Sequence, residues 1–475
     1  MEHIEKEDLQ GIIIRGYASL TDARFLLLKF KSIIQVRVWL SQQLTVFTAG
    51  HQKPSDVATN IAFTYQGLKE LGLSDETMNS FSFEFEDGMA SEHRQTLLGD
   101  YGASSPESWH WGGPKNEGVD VLLLLYANSL SLLNEHTDAI KKSWPHDAFE
   151  ILQELDTMEI MERKEHFGFH DGIAQPTIKG LDRRDSENNT VAAGEFVLGY
   201  KNEYGQLTDC PVVKDSDDRY NLLPAMENDT EHKNFGKNGS FIVMRQLEQN
   251  VKAFWNYMEQ KTLKDNGTCD VQQMIRLASK FVGRWPGGAP LSVCPMNDDP
   301  SYKDLNDFKF QDEDREGLKC PVGAHIRRSN PRDSINDGDP TSIKVSNKHR
   351  ILRRGRSYGA PLAASMKPED IIQAENTGGN RGLYFICLNA DIGRQFEFIQ
   401  NFWINNPKFE GLYHDRDPLA GNHSSPLETS RTGTFRVPET KLRNRFTDVP
   451  EFVTVKGGAY FFLPGIKALK YLSSL

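Results

Sequence analysis

The segment "FGFHDGIAQP", residues 167–176, brings an acid, a histidine and two glycines close together. Asp171 can be interpreted as a metal ligand, a proton-transfer group or the ordinary acid of a tight turn. The Asp-Gly pair is typical of turns, because Asp bonds its own backbone and Gly adopts positive φ freely. The four-residue spacing of His166 and His170 is also typical of metal ligands on a helix. Gly168 argues against a regular helix here, so we do not favour a metal site formed by these two histidines.

A second cluster, "GAHIRRSNPR" at residues 323–332, places a histidine between small residues and a basic run. His325 can approach a planar ligand closely, since Gly323 and Ala324 leave room. The alternative is a surface histidine in a basic loop.

A third cluster, "HRILRRGRSYG" at residues 349–359, contains four arginines. If it forms a strand, Arg350 and Arg354 share one face and Arg353 points to the other. The alternative is a solvated basic strand at the edge of a sheet.

The elements that position these clusters are visible as apolar patterns along the chain. Strand patterns and helical patterns alternate in both halves, which predicts an α+β fold with helices packed on a sheet. The helix start signal Thr21-Asp22 predicts a helix over "TDARFLLLKF". The strands that we expect are "GIIIRGY", "VDVLLLLYAN", "GEFVLGY", "GSFIVMRQL" and "GLYFICLNAD".

Bulk properties exclude several classes of protein. The 475 residues suffice for two ordinary domains. The net charge of -11 argues against nucleic-acid binding and against docking on anionic membranes. The longest strong apolar run, "VLLLLYA", is too short to cross a bilayer. Five scattered cysteines and a charged N-terminus without a signal peptide predict a cytoplasmic protein with reduced thiols.

Together the three clusters resemble the signature of the dye-decolorizing peroxidases, which are haem enzymes. Segments such as "FVGRWPGGAPL" and "GLYFICLNADIGRQFEFIQNFW" extend the resemblance over nearly the whole chain, to the longer bacterial and fungal-like members. The resemblance implies two tandem ferredoxin-like domains with antiparallel sheets and helices packed around them. Residues 1–195 would carry the GFxDG motif, and residues 196–475 would bind one haem b per chain.

The resemblance also implies an activity and three site residues. His325 matches the proximal haem ligand, Asp171 the distal acid and Arg353 the distal arginine. The implied reaction uses H2O2 to oxidise aromatic compounds, including bulky dyes and phenols, by one-electron steps. Asp171 suits the transfer of a proton between the two peroxide oxygens, and Arg353 stays cationic and can stabilise developing negative charge. The alternative is a haem carrier or a haem-iron-releasing protein of the same fold, which would not need both residues. Homo-oligomerisation is left open.

The remaining expectations concern the surroundings of the haem. The second nitrogen of His325 should donate to an acceptor, for which Asp391 at a strand end is the first choice and Glu397 the second. Guanidinium groups pair carboxylates in bidentate fashion, so arginines after the ligand are candidates for the haem propionates. These arginines are Arg327, Arg328 and Arg332, and the candidate apolar wall consists of Phe169, Leu352 and Phe385.

Tyr358 is the residue that we expect to relay electrons to bulky substrates. Gly355 and Gly359 flank it and indicate a chain that turns outward towards solvent. The alternative is a packed tyrosine whose hydroxyl is hydrogen-bonded within the loop.

Overall fold

In the part of the chain that the structure describes, one antiparallel sheet of nine strands runs through both halves. The prediction of an α+β fold built on antiparallel pairing is confirmed. The computed structural model describes residues 3–159, 161–181, 189–226, 228–299, 301–302, 306–335, 339, 341–376, 378–423, 433–440 and 443–475.

The strands are numbered in chain order. They are β1 (Asp22–Phe30), β2 (Val57–Phe63), β3 (Val121–Ala127), β4 (Phe149–Asp156), β5 (Thr177–Ile178), β6 (Thr190–Val191), β7 (Val212–Lys214), β8 (Ala225–Met226), β9 (Asp229–Asn234), β10 (Ser240–Gln249), β11 (Leu352–Arg353), β12 (Arg356–Tyr358), β13 (Gly382–Asn389), β14 (Gly433–Pro438), β15 (Arg443–Val449) and β16 (Val453–Leu463).

The helices are numbered in the same way, and none that the structure describes is long and apolar enough to cross a membrane. Two π-helical segments, Gly393–Glu397 and Ile399–Ile404, follow β13. The α-helices are α1 (Gly11–Ile14), α2 (Ile33–Gln43), α3 (Tyr65–Glu70), α4 (Asp75–Met78), α5 (Phe83–Asp87), α6 (Glu92–Leu98), α7 (Leu130–Ser143), α8 (Val251–Thr262), α9 (Val271–Val282), α10 (Gln311–Asp314), α11 (His325–Ser329), α12 (Ser342–Asn347), α13 (Pro368–Gln373) and α14 (Ile466–Leu472).

The large sheet consists of two half-sheets, one from each half of the chain. Its strand order is β11-β13-β10-β16-β2-β3-β1-β4, and β12 also pairs with β13. The half-sheets meet at one residue pair, Phe63 with Phe462. The Gln10 side chain reinforces this junction, because its amide nitrogen donates to the carbonyl oxygens of Ile61 at 2.8 Å and Pro464 at 2.9 Å. The boundary between residues 195 and 196 stays a prediction.

Apolar clusters cover both faces of the sheet, and a third packs against the segments that carry Asp171 and His325. Leu26 and Leu28 of β1 face one cluster, and Phe25 and Leu27 face the other. The third cluster joins α8 and α9 to Phe169 and other residues near the motifs. Large buried side chains stabilise such clusters by about 1.5–3 kcal/mol each. The segments that carry Asp171 and His325 therefore rest on a packed layer.

Three secondary-structure predictions are wrong. "TDARFLLLKF" forms β1 instead of a helix, because an apolar run that is buried on both faces fits either periodicity. Residues 11–14 form the short helix α1, although three β-branched isoleucines favour a strand. Residues 193–195 form a 3-10 turn at the predicted strand "GEFVLGY". Tertiary burial decides each of these segments.

Candidate active site

Asp171 follows a tight hairpin-like turn. The N–H of Asp171 donates to the Arg163 carbonyl at 2.9 Å, and the N–H of Glu165 donates to the Phe169 carbonyl at 2.9 Å. Gly168 has a φ of 98°, a conformation that side chains disfavour. A Cβ at Gly168 would also lie 2.9 Å from the Cδ1 of Ile371. The turn therefore requires its glycine.

The Asp171 carboxylate forms an ion pair with Arg353. Its Oδ1 atom lies 3.0 Å from Nη1 of Arg353 and also accepts the N–H of Gly172 at 2.6 Å. Asp171 therefore has the contact expected of a turn residue, and its proton-transfer role stays a prediction. Burial alone would raise the pKa of Asp171, but the Arg353 guanidinium and the Gly172 N–H hold it below its ordinary value. Although the group lies among protein atoms, 43% of the Asp171 side-chain surface remains accessible.

Arg353 is fixed by the sheet. In β11 it pairs with Cys387 of β13, and its N–H donates to Oε1 of Gln175 at 3.1 Å. Since directly paired residues share a face, Arg353 lies on the side of Cys387 and Phe385. Leu352 points to the opposite face and belongs to another apolar cluster. The prediction that Leu352 lines the same site is therefore wrong, whereas a haem contact of Phe385 stays a prediction.

His325 is the first residue of α11, and its imidazole is held by an acid from a distant loop. Nδ1 lies 2.9 Å from Oδ2 of Asp417, whose side chain is fully buried. The other oxygen of Asp417 accepts the N–H groups of Leu419 at 2.9 Å and Ala420 at 2.8 Å. Burial alone would raise the pKa of Asp417, but His325, the N–H of Ala420 and the charge of Arg328 hold it below its ordinary value.

The predictions of Asp391 and Glu397 as the acceptor for His325 are wrong. Asp391 accepts the N–H of Arg394 at 2.8 Å at the start of a π-helical segment. Glu397 binds Nη1 of Arg94 at 2.8 Å and the hydroxyl of Tyr460 at 2.8 Å. Asp417 lies 92 residues after His325 in sequence. The one local signal is the turn sequence "DPLAG" that begins at Asp417. It predicts a turn but not the contact of Asp417 with His325.

The first predicted propionate ligand, Arg327, has a structural role instead. Its guanidinium donates to the carbonyl oxygens of Asp314, Arg315 and Cys320, and only 3% of its side chain is exposed. It also stacks over the ring of Phe310 at 4.7 Å. The propionate prediction is therefore wrong for Arg327. The guanidinium of the neighbouring Arg328 likewise donates to backbone carbonyl oxygens.

Four arginines form a positive cluster that the sequence did not reveal as a unit. Arg332 donates to the carbonyl oxygens of Asn306 and Phe308, yet it also interacts electrostatically with Arg284 and Arg350. Burial and nearby cations, including Arg353, lower the pKa of both Arg284 and Arg350 to about 9. Repulsion of this kind is relieved when an anion binds.

Arg350 is the member of this arginine cluster that is best suited to bind a carboxylate. Its guanidinium donates to Oδ1 of Asn189 at 3.0 Å, and the residue is only 5% exposed. No carboxylate pairs with Arg350 in the part of the chain that the structure describes. A buried cation with a neutral partner and cationic neighbours is a ready carboxylate site.

Tyr358 is buried rather than turned towards solvent. Only 4% of the residue is exposed, its hydroxyl donates to Oδ1 of Asn380 at 3.2 Å, and its ring stacks on Tyr384 with centroids 4.5 Å apart. The predicted outward turn is therefore wrong, and its relay role stays a prediction without that support. Phe169 packs against Trp255 in the third cluster, so its haem contact also stays a prediction.

Comparison with known proteins gives the family. The family model described as the DyP dimeric alpha+beta barrel domain matches residues 28–159. A dye-decolorizing peroxidase of Mycetinis scorodonius is 29% identical over 98% of this chain and 87% of its own length. A multifunctional dye peroxidase of Amycolatopsis sp. is 30% identical over 78% of this chain and 74% of its own length. The chain belongs to the dye-decolorizing peroxidase family.

This dye-decolorizing peroxidase also has the fold of solved members. The crystal structure of the DyP-type peroxidase of Anabaena sp. matches with a TM-score of 0.75 and 26% identity. The match covers 98% of this chain and 94% of that one. The chain is therefore a haem peroxidase with the ferredoxin-like architecture of the family.

The residues of this dye-decolorizing peroxidase fit a haem. With Nδ1 of His325 directed at an ionised carboxylate, its Nε2 is left with the lone pair that a metal needs. No described residue forms a hydrogen bond with that Nε2. The cluster around Arg350 suits the propionates of the same group. The donor set and the buried positive charge therefore meet the two chemical needs of haem.

Proposed function

We propose that this enzyme uses H2O2 to oxidise aromatic compounds, including phenols and bulky dyes, by one-electron steps. Two linked pairs support the proposal, namely Asp171 with Arg353 and His325 with Asp417. Charges of Asp171 and Arg353 act on His325, so the two pairs belong to one electrostatic environment. The ion pair between Asp171 and Arg353 is the single observation that carries the proposal.

The binding of one haem b per chain is assigned to His325 and the arginine cluster. Nε2 of His325 is the iron ligand, and Asp417 fixes the ring orientation and the tautomer by accepting the Nδ1 proton. Arg350 and Arg332 are assigned to the propionates, since they belong to the buried positive cluster. When bound, the haem would supply iron redox chemistry, giving two electrons to peroxide and regaining them one at a time from the aromatic reductant.

Asp171 is assigned the proton transfer. Its Oδ1 atom is occupied by Arg353 and Gly172, so Oδ2 is the oxygen left to accept a proton from H2O2. Its lowered pKa keeps Asp171 ionised and able to accept at neutral and weakly acidic pH. The same oxygen returns the proton to the departing peroxide oxygen. A positioned acid-base group of this kind contributes roughly 10²–10⁴-fold in rate.

Arg353 is assigned the orientation of peroxide and the stabilisation of charge. The ion pair uses one of its five N–H donors, and a guanidinium remains cationic throughout the pH range of the reaction. A fixed donor of this type is worth about 3 kcal/mol when negative charge develops near it. Its place in β11 provides the rigidity that this role requires.

A haem carrier or haem-iron-releasing protein of the same fold is not favoured. Binding and release require a ligand and propionate partners, but they do not require an acid paired with an arginine. Cytoplasmic localisation stays a prediction from the sequence, and homo-oligomerisation stays open.

The test is an absorption spectrum of the purified holoprotein, recorded with and without H2O2, together with turnover of a methoxyphenol and of an anthraquinone dye. We expect a Soret band that shifts on addition of peroxide and catalytic oxidation of both reductants. Haem that is bound but inert to peroxide would contradict the proposal and support the carrier alternative.

A further inference from the structure

Glu165 is a buried acid at the start of the turn that carries Asp171. Its carboxylate accepts two backbone N–H groups of that turn, from Phe167 at 2.9 Å on Oε2 and from Phe169 at 2.9 Å on Oε1. Both carboxylate oxygens are therefore used inside the turn. The Phe169 carbonyl in turn accepts the N–H of Glu165, so side chain and backbone close the same short segment.

A second contact connects this carboxylate to the central sheet. Nε2 of Gln249, the last residue of β10, donates to Oε2 of Glu165 at 2.6 Å. The N–H of Gln249 donates to the carbonyl of Arg381 at 2.8 Å, next to the start of β13. A continuous series of hydrogen bonds therefore runs from β10 through Glu165 to the turn.

The polar environment of Glu165 is unusual for a structural acid. Among the residues that the structure describes, no lysine, arginine or histidine forms an ion pair with it. Burial raises the pKa of Glu165 to about 7, with the charge of Asp171 acting in the same direction. Retaining a buried acid without a cation is costly, so its contacts with the turn must compensate.

We propose that Glu165 is a positioning residue that sets the place of the Asp171 carboxylate relative to Arg353. The inference rests on the proposed proton transfer by Asp171. Glu165 bonds Phe167 and Phe169, and the chain reaches Asp171 two residues after Phe169. A shift of about 1 Å at a reacting group can cost about 10²-fold in rate, so the rigidity of this turn has catalytic consequences.

The test is Glu165→Gln in the holoenzyme, because an amide has only one oxygen and loses at least one acceptor in the turn. We expect the second-order rate of reaction with H2O2 to fall about tenfold to a hundredfold. Hydrogen exchange of the amides of residues 163–172 should become faster. Glu162→Gln is the matched control, since the Glu162 side chain is 57% exposed and pairs with the side chain of Lys164. The control should leave both measurements unchanged.

A double-mutant cycle separates positioning from general damage. In an Asp171→Asn background, Glu165→Gln should lower the remaining rate less than twofold, because Glu165 acts through Asp171. An equal fold-loss in both backgrounds would overturn the inference. If Asp171→Asn alone has no effect on the peroxide reaction, the proposed function itself fails, which is a separate outcome.

The pH dependence of the peroxide reaction tests the positioning role independently, through the direction in which it shifts. The charged and titratable groups facing Asp171 are Arg353 from β11, His325 from α11, and Glu165 and His170 in its own segment. If the turn relaxes, Asp171 loses its bond to Arg353, its pKa rises, and the acid limb of the peroxide reaction moves to higher pH. Loss of the Glu165 charge alone would move that limb to lower pH. A downward shift or none would contradict positioning.

A second variant keeps the inference testable if Glu165→Gln does not fold. Gln249→Leu removes the bond to β10 and leaves both acceptor oxygens of Glu165 in the turn. We expect a smaller loss in the same direction and the same non-additivity with Asp171→Asn. A wild-type peroxide rate in this variant together with a wild-type rate in Glu165→Gln would remove Glu165 from the catalytic account.

Discussion

The two sides of the proposed haem site are built in opposite ways. On one side, Asp171 follows a short turn whose bonds run between residues 163 and 172. On the other side, His325 is oriented by Asp417, 92 residues away in sequence. Local turns leave a contiguous motif, whereas a long-range pair leaves two unrelated fragments. The side that carries Asp171 could therefore be predicted from the sequence. On the other side, His325 could be predicted but its partner Asp417 could not.

The largest expected effect comes from His325→Ala. Removing the imidazole deletes the proposed iron ligand, and we expect loss of stable haem binding with little change in the fold. Absorbance at the Soret band and the far-ultraviolet circular dichroism spectrum measure the two quantities. His146→Ala is the control, since the His146 side chain is 94% exposed, and it should keep its haem. Full haem occupancy with a histidine-ligated spectrum in His325→Ala would contradict the assignment.

Arg353→Leu should also have a large effect. It removes a fixed cation from the distal side, so the rate of the peroxide reaction should fall roughly 10²–10³-fold, which corresponds to about 3 kcal/mol. Haem binding should persist, since Arg353 is not assigned to the iron. Stopped-flow mixing with H2O2 at equal haem content is the measurement. A rate within threefold of wild type would exclude Arg353 from the step.

Asp417→Asn tests the side of the proposed haem site on which a distant acid orients His325. Loss of the carboxylate weakens control of the His325 ring, and changes to such partners typically cost about 10–100-fold in metal affinity or activity. We therefore expect faster haem transfer to an apoglobin acceptor and a higher reduction potential of the bound iron. Asp391→Asn is the matched control and should leave both values near wild type, because Asp391 binds Arg394. Similar changes in the two variants would refute the special role of Asp417.

Tyr358→Phe should have the smallest effect. Because the hydroxyl is buried and bonded to Asn380, we expect a loss of about 1 kcal/mol in the free energy of unfolding. Turnover of bulky dyes and of small phenols should change by the same factor. Denaturant titration and parallel assays with the two substrates measure this. A loss confined to bulky dyes would restore Tyr358 as an electron relay.

Several features of the fold and site could be predicted from the sequence because they are local. The strands β3, β10 and β13 follow from their apolar patterns and are present. The segment around Asp171 also follows, because Gly168 and Gly172 both adopt positive φ, as turn glycines do. These features depend on residues that are neighbours in sequence.

The features that the sequence did not predict depend on distant contacts. Arg327 follows the ligand closely and looks suited to a propionate, but Asp314 and Cys320 supply carbonyls that occupy it. Arg350 looks like one more charge in a basic run, but the fold buries it beside other arginines. The helix predicted for β1 fails for the same reason, since burial on both faces is a property of the assembled sheet. The neighbours that the fold gives each arginine therefore decide whether its guanidinium can bind a ligand.

The most direct measurement is the reaction of Asp171→Asn with H2O2, followed by stopped-flow absorbance in protein with full haem content. Asparagine preserves the shape of the side chain but cannot accept and return a proton. The account predicts an intact Soret spectrum before mixing and a peroxide reaction slowed roughly 10²–10⁴-fold. A reaction at the wild-type rate with the same spectrum would contradict the assignment of proton transfer to Asp171.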